Sequence, residues 1–205
     1  MLYKWREQKA YLSNKVQSKK RILGIDPGTN IMGYGIIEVE NNKLSLVVMD
    51  VLNFDRKKSA IDRLKDIYDG VGSIVEQHRP NQAAIEAPFF GKNVQSMHKL
   101  GRAQGVAIAA VLQHGIPVFE YSPKKVKMAI TGKGSASKEQ LAGMLHHLIE
   151  FDNEQKYFDA TDALGIAVCH YLQQRIPGTE KSYSGWSAFI AKNSDRIIDK
   201  QIHKF

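Results

Sequence analysis

The order of apolar segments along the chain restricts the fold to one architectural class. Three strand-like segments come first, and helical and strand-like segments then alternate as far as residue 174. The strand-like segments are 21–26, 34–40, 43–54, 82–87 and 116–121. The helical segments are 59–77, 94–114, 123–130, 137 to about 150, and 158–174. A meander followed by such alternation is typical of an α/β domain with a mixed five-stranded sheet flanked by helices.

Local signals mark several boundaries between these segments. Asn41-Asn42 separates the second and third strands and is typical of a tight hairpin turn. Ser59 is placed to cap the first helix with its hydroxyl. Ser137 followed by Gln140 matches a capping box, in which each side chain satisfies a backbone N–H at the start of a helix.

The net charge of +8 is concentrated at the start of the chain. Residues 1–20 contain six basic residues and one acidic residue, a net of +5 that leaves only +3 for the rest. We therefore expect a flexible basic arm over 1–20, one globular domain over 21–176 and a polar tail over 177–205. Global charge alone is weak support for a nucleic-acid partner, so local basic clusters must provide it.

Cysteine content and hydropathy restrict the cellular setting. Cys169 is the one cysteine of the chain, so no disulfide can form within it. This suits a reducing compartment, and we expect a cytoplasmic protein. No stretch is apolar over the roughly 18 residues that a membrane span needs, so no membrane partner is expected.

Lone carboxylates stand at the ends of two apolar segments. Asp26 ends the first strand before Pro27 and Gly28, and Glu86 ends the fourth just before Pro88. Because ligands gather beyond strand ends in sheets of this class, the two acids are expected to meet there. For Asp26 alone, a plainer interpretation is that Asp-Pro-Gly only starts a turn.

Two further carboxylates open the last helix. Asp159 and Asp162 lie three residues apart and so share one helical face. Acids also favour helix N-termini through the macrodipole, and one of the two can serve only that purpose.

Four carboxylates without a cysteine pair indicate a site for a hard cation, Mg²⁺ or Mn²⁺, rather than for zinc. Two such ions roughly 3.5–4 Å apart would activate a water and stabilise the leaving oxygen of a phosphodiester. Composition and spacing therefore favour a metal-dependent nuclease or phosphotransferase.

Six motifs, in order, resemble the RuvC family of bacterial Holliday-junction resolvases over about Leu23 to Tyr171. They are GIDPGTNIMGYGII, AIEAPFFGKN, KLGRAQGVAIAA, PVFEYSPKKVK, GKGSASK and DATDALGIAVCH. The resemblance implies a ribonuclease H-like fold and paired, symmetrical nicks in four-way DNA junctions during recombination and repair. It implies that four acids are catalytic and bind metal, one of the last two positioning the attacking water: Asp26, Glu86, Asp159 and Asp162.

The resemblance also implies DNA contacts and partners. Phe89 aligns with an aromatic residue that wedges against junction bases, and Lys92 beside it can reach a phosphate. Lys127 and Lys138 match basic positions implicated in DNA binding or catalysis. The family forms homodimers, with the helix at about 93–113 as a contributor to the interface, and acts with the RuvA and RuvB branch-migration proteins.

Two other functional classes remain alternatives. GIDPGT is similar to the first phosphate loop of sugar kinases, actins and the 70-kilodalton chaperones. Those proteins need a second glycine-rich phosphate loop and a much longer chain, and neither is found in this sequence. The second alternative is a catalytically silent junction-binding protein, which the presence of all four acids argues against.

Overall fold

The computed structural model of the protein describes residues 19–87, 93–151 and 158–175. Its strands are β1 Lys20–Asp26, β2 Ile31–Glu40, β3 Lys43–Asn53, β4 Gln82–Glu86 and β5 Val118–Tyr121. Its helices are α1 Ala60–His78, α2 Val94–Gln113, α3 Pro123–Thr131, α4 Lys138–Leu148 and α5 Phe158–Arg175. Within these described ranges, no helix is long and apolar enough to cross a membrane.

The five strands form one mixed sheet in the order β3-β2-β1-β4-β5. The first three strands form an antiparallel meander, and β4 and β5 run parallel to β1. The predicted α/β class with a mixed five-stranded sheet is therefore confirmed. Because β1 and β4 are parallel neighbours, the carboxyl ends of both strands lie at the same edge of the sheet.

The turn and cap predictions are confirmed by backbone geometry. Asn41 and Asn42 have φ values of 51° and 63°, as a tight hairpin turn of the I′ type requires. Ser59 accepts a hydrogen bond from the backbone N–H of Asp62. Both hydrogen bonds of the capping box between Ser137 and Gln140 are formed.

Two strand boundaries differ from the sequence prediction by more than one residue. Strand β2 begins at Ile31, not at residue 34, because Ile31 pairs with Asn53 and extends the ladder with β3. Strand β5 begins at Val118, not at residue 116, and Val118 pairs with Ala83. Pro117 just before it has no N–H to donate to the ladder.

Alternate residues of β1 contact different layers. Leu23 and Ile25 pack in one cluster with α1 and α2, and Ile22 packs in another with α5. Helices α3 and α4 cover α5 from outside, so every residue over 160–171 except Asp162 is buried. The described residues up to Leu172 belong to one compact unit, and the last turn of α5 is assigned to a second.

Candidate active site

Three glycines allow helix α5 to lie directly against the sheet. Gly24 is paired with Gly35 across β1 and β2, and Gly33 is paired with Asp26. A Cβ atom at Gly24 would lie 2.0 Å from the carbonyl oxygen of Ala163 in α5. A Cβ atom at Gly33 would lie 2.0 Å from the carbonyl oxygen of Asp159. The glycines thus set the distance at which the first turns of α5 pass the end of β1.

This close approach brings three carboxylates together. Asp26, Asp159 and Asp162 each offer one carboxylate oxygen, and these oxygens all lie within 4.8 Å of one another. All three residues are half-buried. Oxygen atoms grouped in this way, with no nitrogen or sulfur ligand in the group, fit a hard divalent cation. The residues present therefore suit the kind of ion that the sequence predicts.

Glu86 lies beside this group without belonging to it. Ile85 is the parallel partner of Ile25, so Glu86, the last residue of β4, lies at the height of Asp26 on β1. Burial raises the pKa of Glu86, the charge of Asp162 raises it further, and Lys138 and Lys127 oppose the shift. The fourth acid is therefore close enough to share the electrostatic environment of the other three.

The cluster makes ionisation of Asp26 unfavourable. Burial is the largest cause, and the charges of Glu86, Asp162 and Asp159 act in the same direction, against Lys138. Together they raise the pKa of Asp26 from 3.8 to about 8. Neighbouring acids that hinder each other's ionisation in a partly desolvated place are stabilised by a bound cation.

Lys138 is part of this site. It begins helix α4, and its Nζ donates a hydrogen bond to Asp162 Oδ2 at 2.5 Å. That hydrogen bond is the main reason why the pKa of Lys138 is raised. The sequence predicted Lys138 as a DNA contact, and the structure places its ammonium group on a carboxylate of the cluster. Lys127 lies half-buried on α3, close enough to lower the pKa of Glu86.

The other predicted DNA contacts, Phe89 and Lys92, lie outside the described residues. Residues 1–18 of the predicted arm and all of the predicted tail lie outside them as well. Their predicted roles stay predictions.

Sequence reasoning missed two supports of the site. The first is the set of glycines on β1 and β2, whose signal is that Gly24, Gly33 and Gly35 interrupt otherwise apolar strands. The second is Gln104, which is buried on α2. Its Nε2 donates to the carbonyl oxygen of Glu86 at 3.1 Å and to Glu120 Oε2 at 2.9 Å, which fixes the end of β4. Its signal was a glutamine at a position of α2 whose buried neighbours are alanine and valine.

Comparison with protein-family models gives a match over residues 22–170 to "Crossover junction endodeoxyribonuclease RuvC". The protein of that name from Bacteroides fragilis is 52% identical over 181 residues, covering 87% of this chain and 96% of the relative. The one from Cytophaga hutchinsonii is 49% identical over 176 residues, covering 86% and 87%.

Solved structures give the same picture. The structure described as T. thermophilus RuvC in complex with Holliday junction substrate has a TM-score of 0.72 and 30% identity, covering 76% of this chain and 95% of that one. A yeast mitochondrial Holliday junction resolvase, Ydc2, has a TM-score of 0.58 at 15% identity, covering 81% and 83%, and supports the fold alone. The predicted ribonuclease H-like fold is confirmed.

Proposed function

The chain belongs to the RuvC family, and we propose from this premise how its residues act as a crossover junction endodeoxyribonuclease. The enzyme hydrolyses phosphodiester bonds in four-way (Holliday) junctions, in recombination and repair. The observation that supports this most directly is the group of three carboxylates within 4.8 Å, held on strand β1 and helix α5 inside the region that the family model matches.

Asp26, Asp159 and Asp162 are proposed to hold Mg²⁺ or Mn²⁺, with Glu86 completing a site for two ions. A divalent ion supplies activation of a water and charge stabilisation of the leaving oxygen. The raised pKa values of Asp26 and Glu86 support this assignment, because a bound cation would offset the repulsion that causes part of those shifts.

The protein's own contribution is a fixed arrangement of acids. Asp26 is anchored by β1, and Asp159 and Asp162 are anchored by α5, which the glycines of the sheet hold at contact distance. Such preorganisation reduces the ordering needed when the scissile phosphate arrives. Lys138 orients Asp162 through their hydrogen bond. One of the two α5 acids positions the attacking water, and either fits that role.

DNA contacts are proposed at four residues around this site. Phe89 would stack against an unpaired junction base, an interaction of about 1–3 kcal/mol per base that needs no particular sequence. Lys92, Lys127 and Lys138 would contact phosphates. The position of Lys127 and Lys138 near Glu86 supports their part of this proposal.

A homodimer is proposed, because two opposed cuts need two sites related by a twofold axis. The outer face of α2 supports this interface. Val94 is 75% exposed and Leu112 is 53% exposed, and Cβ atoms at Gly101 and Gly105 would meet nothing within 4 Å. Apolar and small residues of this kind leave room for a second helix. We further propose action with RuvA and RuvB in the cytoplasm, on the strength of family membership.

The test is cleavage of an end-labelled synthetic four-way junction. The wild-type protein is expected to give paired nicks with Mg²⁺ or Mn²⁺ and none with a chelator. Asp26→Asn should reduce the rate to below about 1% of wild type and leave junction binding intact, because it removes a metal ligand and no phosphate contact.

Asp69→Asn is the matched control, since it neutralises an exposed acid on α1 that lies outside the cluster. It should cut at the wild-type rate. Normal cutting by Asp26→Asn, or by the wild type in chelator, would contradict the assignment of the site.

A further inference from the structure

A basic cavity lies on the face of the sheet opposite to the acids. Its polar lining consists of three cationic side chains and one hydroxyl, from Arg63 of α1, Lys99 and Arg102 of α2, and Thr29 of the loop after β1. Its apolar lining comes from α1, through Ala60, Leu64 and Ile67. Its volume of about 30 Å³ has room for roughly two or three water-sized groups. None of the described residues that line it is acidic.

The loop over residues 27–30 connects this cavity to the acid cluster. Asp26 precedes the loop and lies on the α5 side of the sheet, whereas the cavity lies on the side of α1 and α2. Thr29 lines the cavity, and Arg63 Nη1 donates to Asn30 Oδ1 at 2.9 Å. The two sites are thus the two sides of one short segment at the same edge of the sheet.

The cavity's cationic groups are not neutralised by the described residues. The Nε of Arg63 is buried and has no hydrogen-bond partner in the described structure. Lys99 and Arg102 are exposed and form no ion pair with any acid of the described ranges. The acids at the start of α1 are already engaged, Asp62 with the Ser59 hydroxyl and Asp66 with Lys58.

A buried N–H without a partner is costly, and like charges around one small cavity repel each other. The repulsion is removed by an anion with several acceptor oxygens that binds among these cationic groups. A tetrahedral phosphate suits this set of donors, because guanidinium groups bind its oxygens with charge-assisted hydrogen bonds and a threonine hydroxyl adds another.

We propose that this cavity binds a backbone phosphate of the junction DNA, outside the phosphate that is cut. The inference rests on the proposed function, since that function provides DNA at this edge of the sheet. Contacts to phosphates position a nucleic acid without reading its sequence. The cavity would therefore fix the arm of the junction that passes the loop and hold the scissile strand in register with the acids on the other side.

The test compares two double variants by fluorescence anisotropy of a labelled four-way junction in a chelator, between 50 and 200 mM salt. Lys99→Gln/Arg102→Gln removes the two exposed charges of the cavity. Lys43→Gln/Lys65→Gln removes two charges at exposed positions, one at the hairpin of the distant sheet end and one on α1. Both variants have the same net charge, so any difference between them comes from position.

For each phosphate contact, a fourfold rise in salt weakens binding about 3.5-fold. The cavity variant lacks two such contacts. The factor by which its junction affinity falls between 50 and 200 mM salt should therefore be about tenfold smaller than for the wild type. The control variant should keep the wild-type salt dependence. Equal behaviour of the two variants overturns the proposal.

Two other results overturn it as well. A lower melting temperature or an altered sedimentation coefficient of the cavity variant assigns these charges to folding or to subunit contact. If the cavity variant binds inorganic phosphate more weakly than the wild type but binds the junction equally well, the cavity is a site for a free anion and not for DNA. The wild-type protein tests the proposed function separately. That function is wrong if the wild type shows no preference for the four-way junction over duplex DNA and no metal-dependent cutting.

Discussion

Helix α5 has a buried histidine near one end and two half-buried acids near the other, and their hydrogen-bonding and charge requirements are satisfied to very different degrees. Near its C-terminal end, the His170 side chain is 1% exposed, with Nδ1 2.7 Å from the Tyr121 hydroxyl and Nε2 3.0 Å from Gln82 Oε1. A neutral imidazole that donates from Nε2 and accepts at Nδ1 fits both contacts. At the other end, Asp159 and Asp162 face a third acid across a few ångströms.

The two ends respond to pH in opposite directions. Burial, followed by the charge of Lys20, lowers the pKa of His170 from 6.5 to about 4. Between these values the folded protein binds fewer protons than the unfolded chain, so His170 makes the fold more stable as the pH rises. Asp26 has a raised pKa of about 8 against 3.8. Between those values the folded, metal-free protein binds more protons, so Asp26 makes it less stable as the pH rises.

This difference in pH response distinguishes polar groups that stabilise the fold from polar groups that are available to bind a ligand. The His170 network satisfies its members with each other and therefore needs no ligand. The acid cluster leaves its charges unbalanced except for Lys138, which is the property expected of a site that completes itself with something from outside.

The largest effect is expected from Gly24→Ala, which should lower the free energy of unfolding by about 3 kcal/mol or more. The new methyl group would overlap the carbonyl oxygen of Ala163 and force α5 off the sheet. Chemical denaturation measures the stability, and junction cleavage should fall too although no acid is changed. Gly143→Ala is the control, because a Cβ there meets nothing within 4 Å. If the Gly24→Ala protein is as stable and as active as the control, α5 does not pack against β1 as closely as described.

The second largest effect is a loss of stability at low pH. Protonation of His170 should remove up to about 3 kcal/mol of stability as the pH falls from 6.5 through 4, because the charged ring is disfavoured in its buried place. Urea denaturation at a series of pH values measures it, and His170→Gln should show a shallower slope in that window. Identical slopes for both proteins would show that the histidine is not the responsible group.

A smaller loss is expected from Tyr121→Phe, which removes the hydroxyl 2.7 Å from His170 Nδ1 and nothing else. Loss of a buried hydrogen-bond partner costs about 1–3 kcal/mol. Thermal melts of the variant should show this loss, while junction cleavage at a temperature well below the melt stays unchanged. An equally stable variant would mean that this end of α5 is held by packing alone.

The smallest effect has the opposite sign. Without metal, Asp26→Asn should raise the free energy of unfolding by about 1 kcal/mol at pH 8, because it relieves repulsion within the acid cluster. Added Mg²⁺ should stabilise the wild type and not the variant. Differential scanning fluorimetry with and without Mg²⁺ tests both statements together. Destabilisation of the metal-free variant would show that the folded protein accommodates the Asp26 charge well. The acid cluster would then not differ from the His170 network in the way described.

Local sequence signals were sufficient for most of the fold. Periodicity located the five helices and five strands of the described chain, and Asn41-Asn42 and the Ser137 capping box fixed two boundaries. The four acids were recognisable because each interrupts or ends an apolar segment. Their mutual distances were not, since these depend on how closely α5 approaches β1 and β2.

Pairing between distant segments explains the rest. Lys138 reaches Asp162 across 24 residues of sequence, and Arg63 meets Asn30 across 33. A single lysine or arginine on a helix is most often a solvated surface charge, and only the packed structure shows which ones face a carboxylate or a cavity. The basic cavity could not be predicted because its residues come from three separate segments.

Because residues 160–171 of α5 are buried except Asp162, the acids near the start of the helix are attached to a part of the fold that we expect to open rarely. Backbone amides in such elements exchange with solvent only through large-scale unfolding, whereas loops exchange through local fluctuations. Under the proposed function, the clustered carboxylates would lose little conformational entropy when a cation binds. We therefore expect adjustment on binding to come from the branched DNA rather than from these carboxylates.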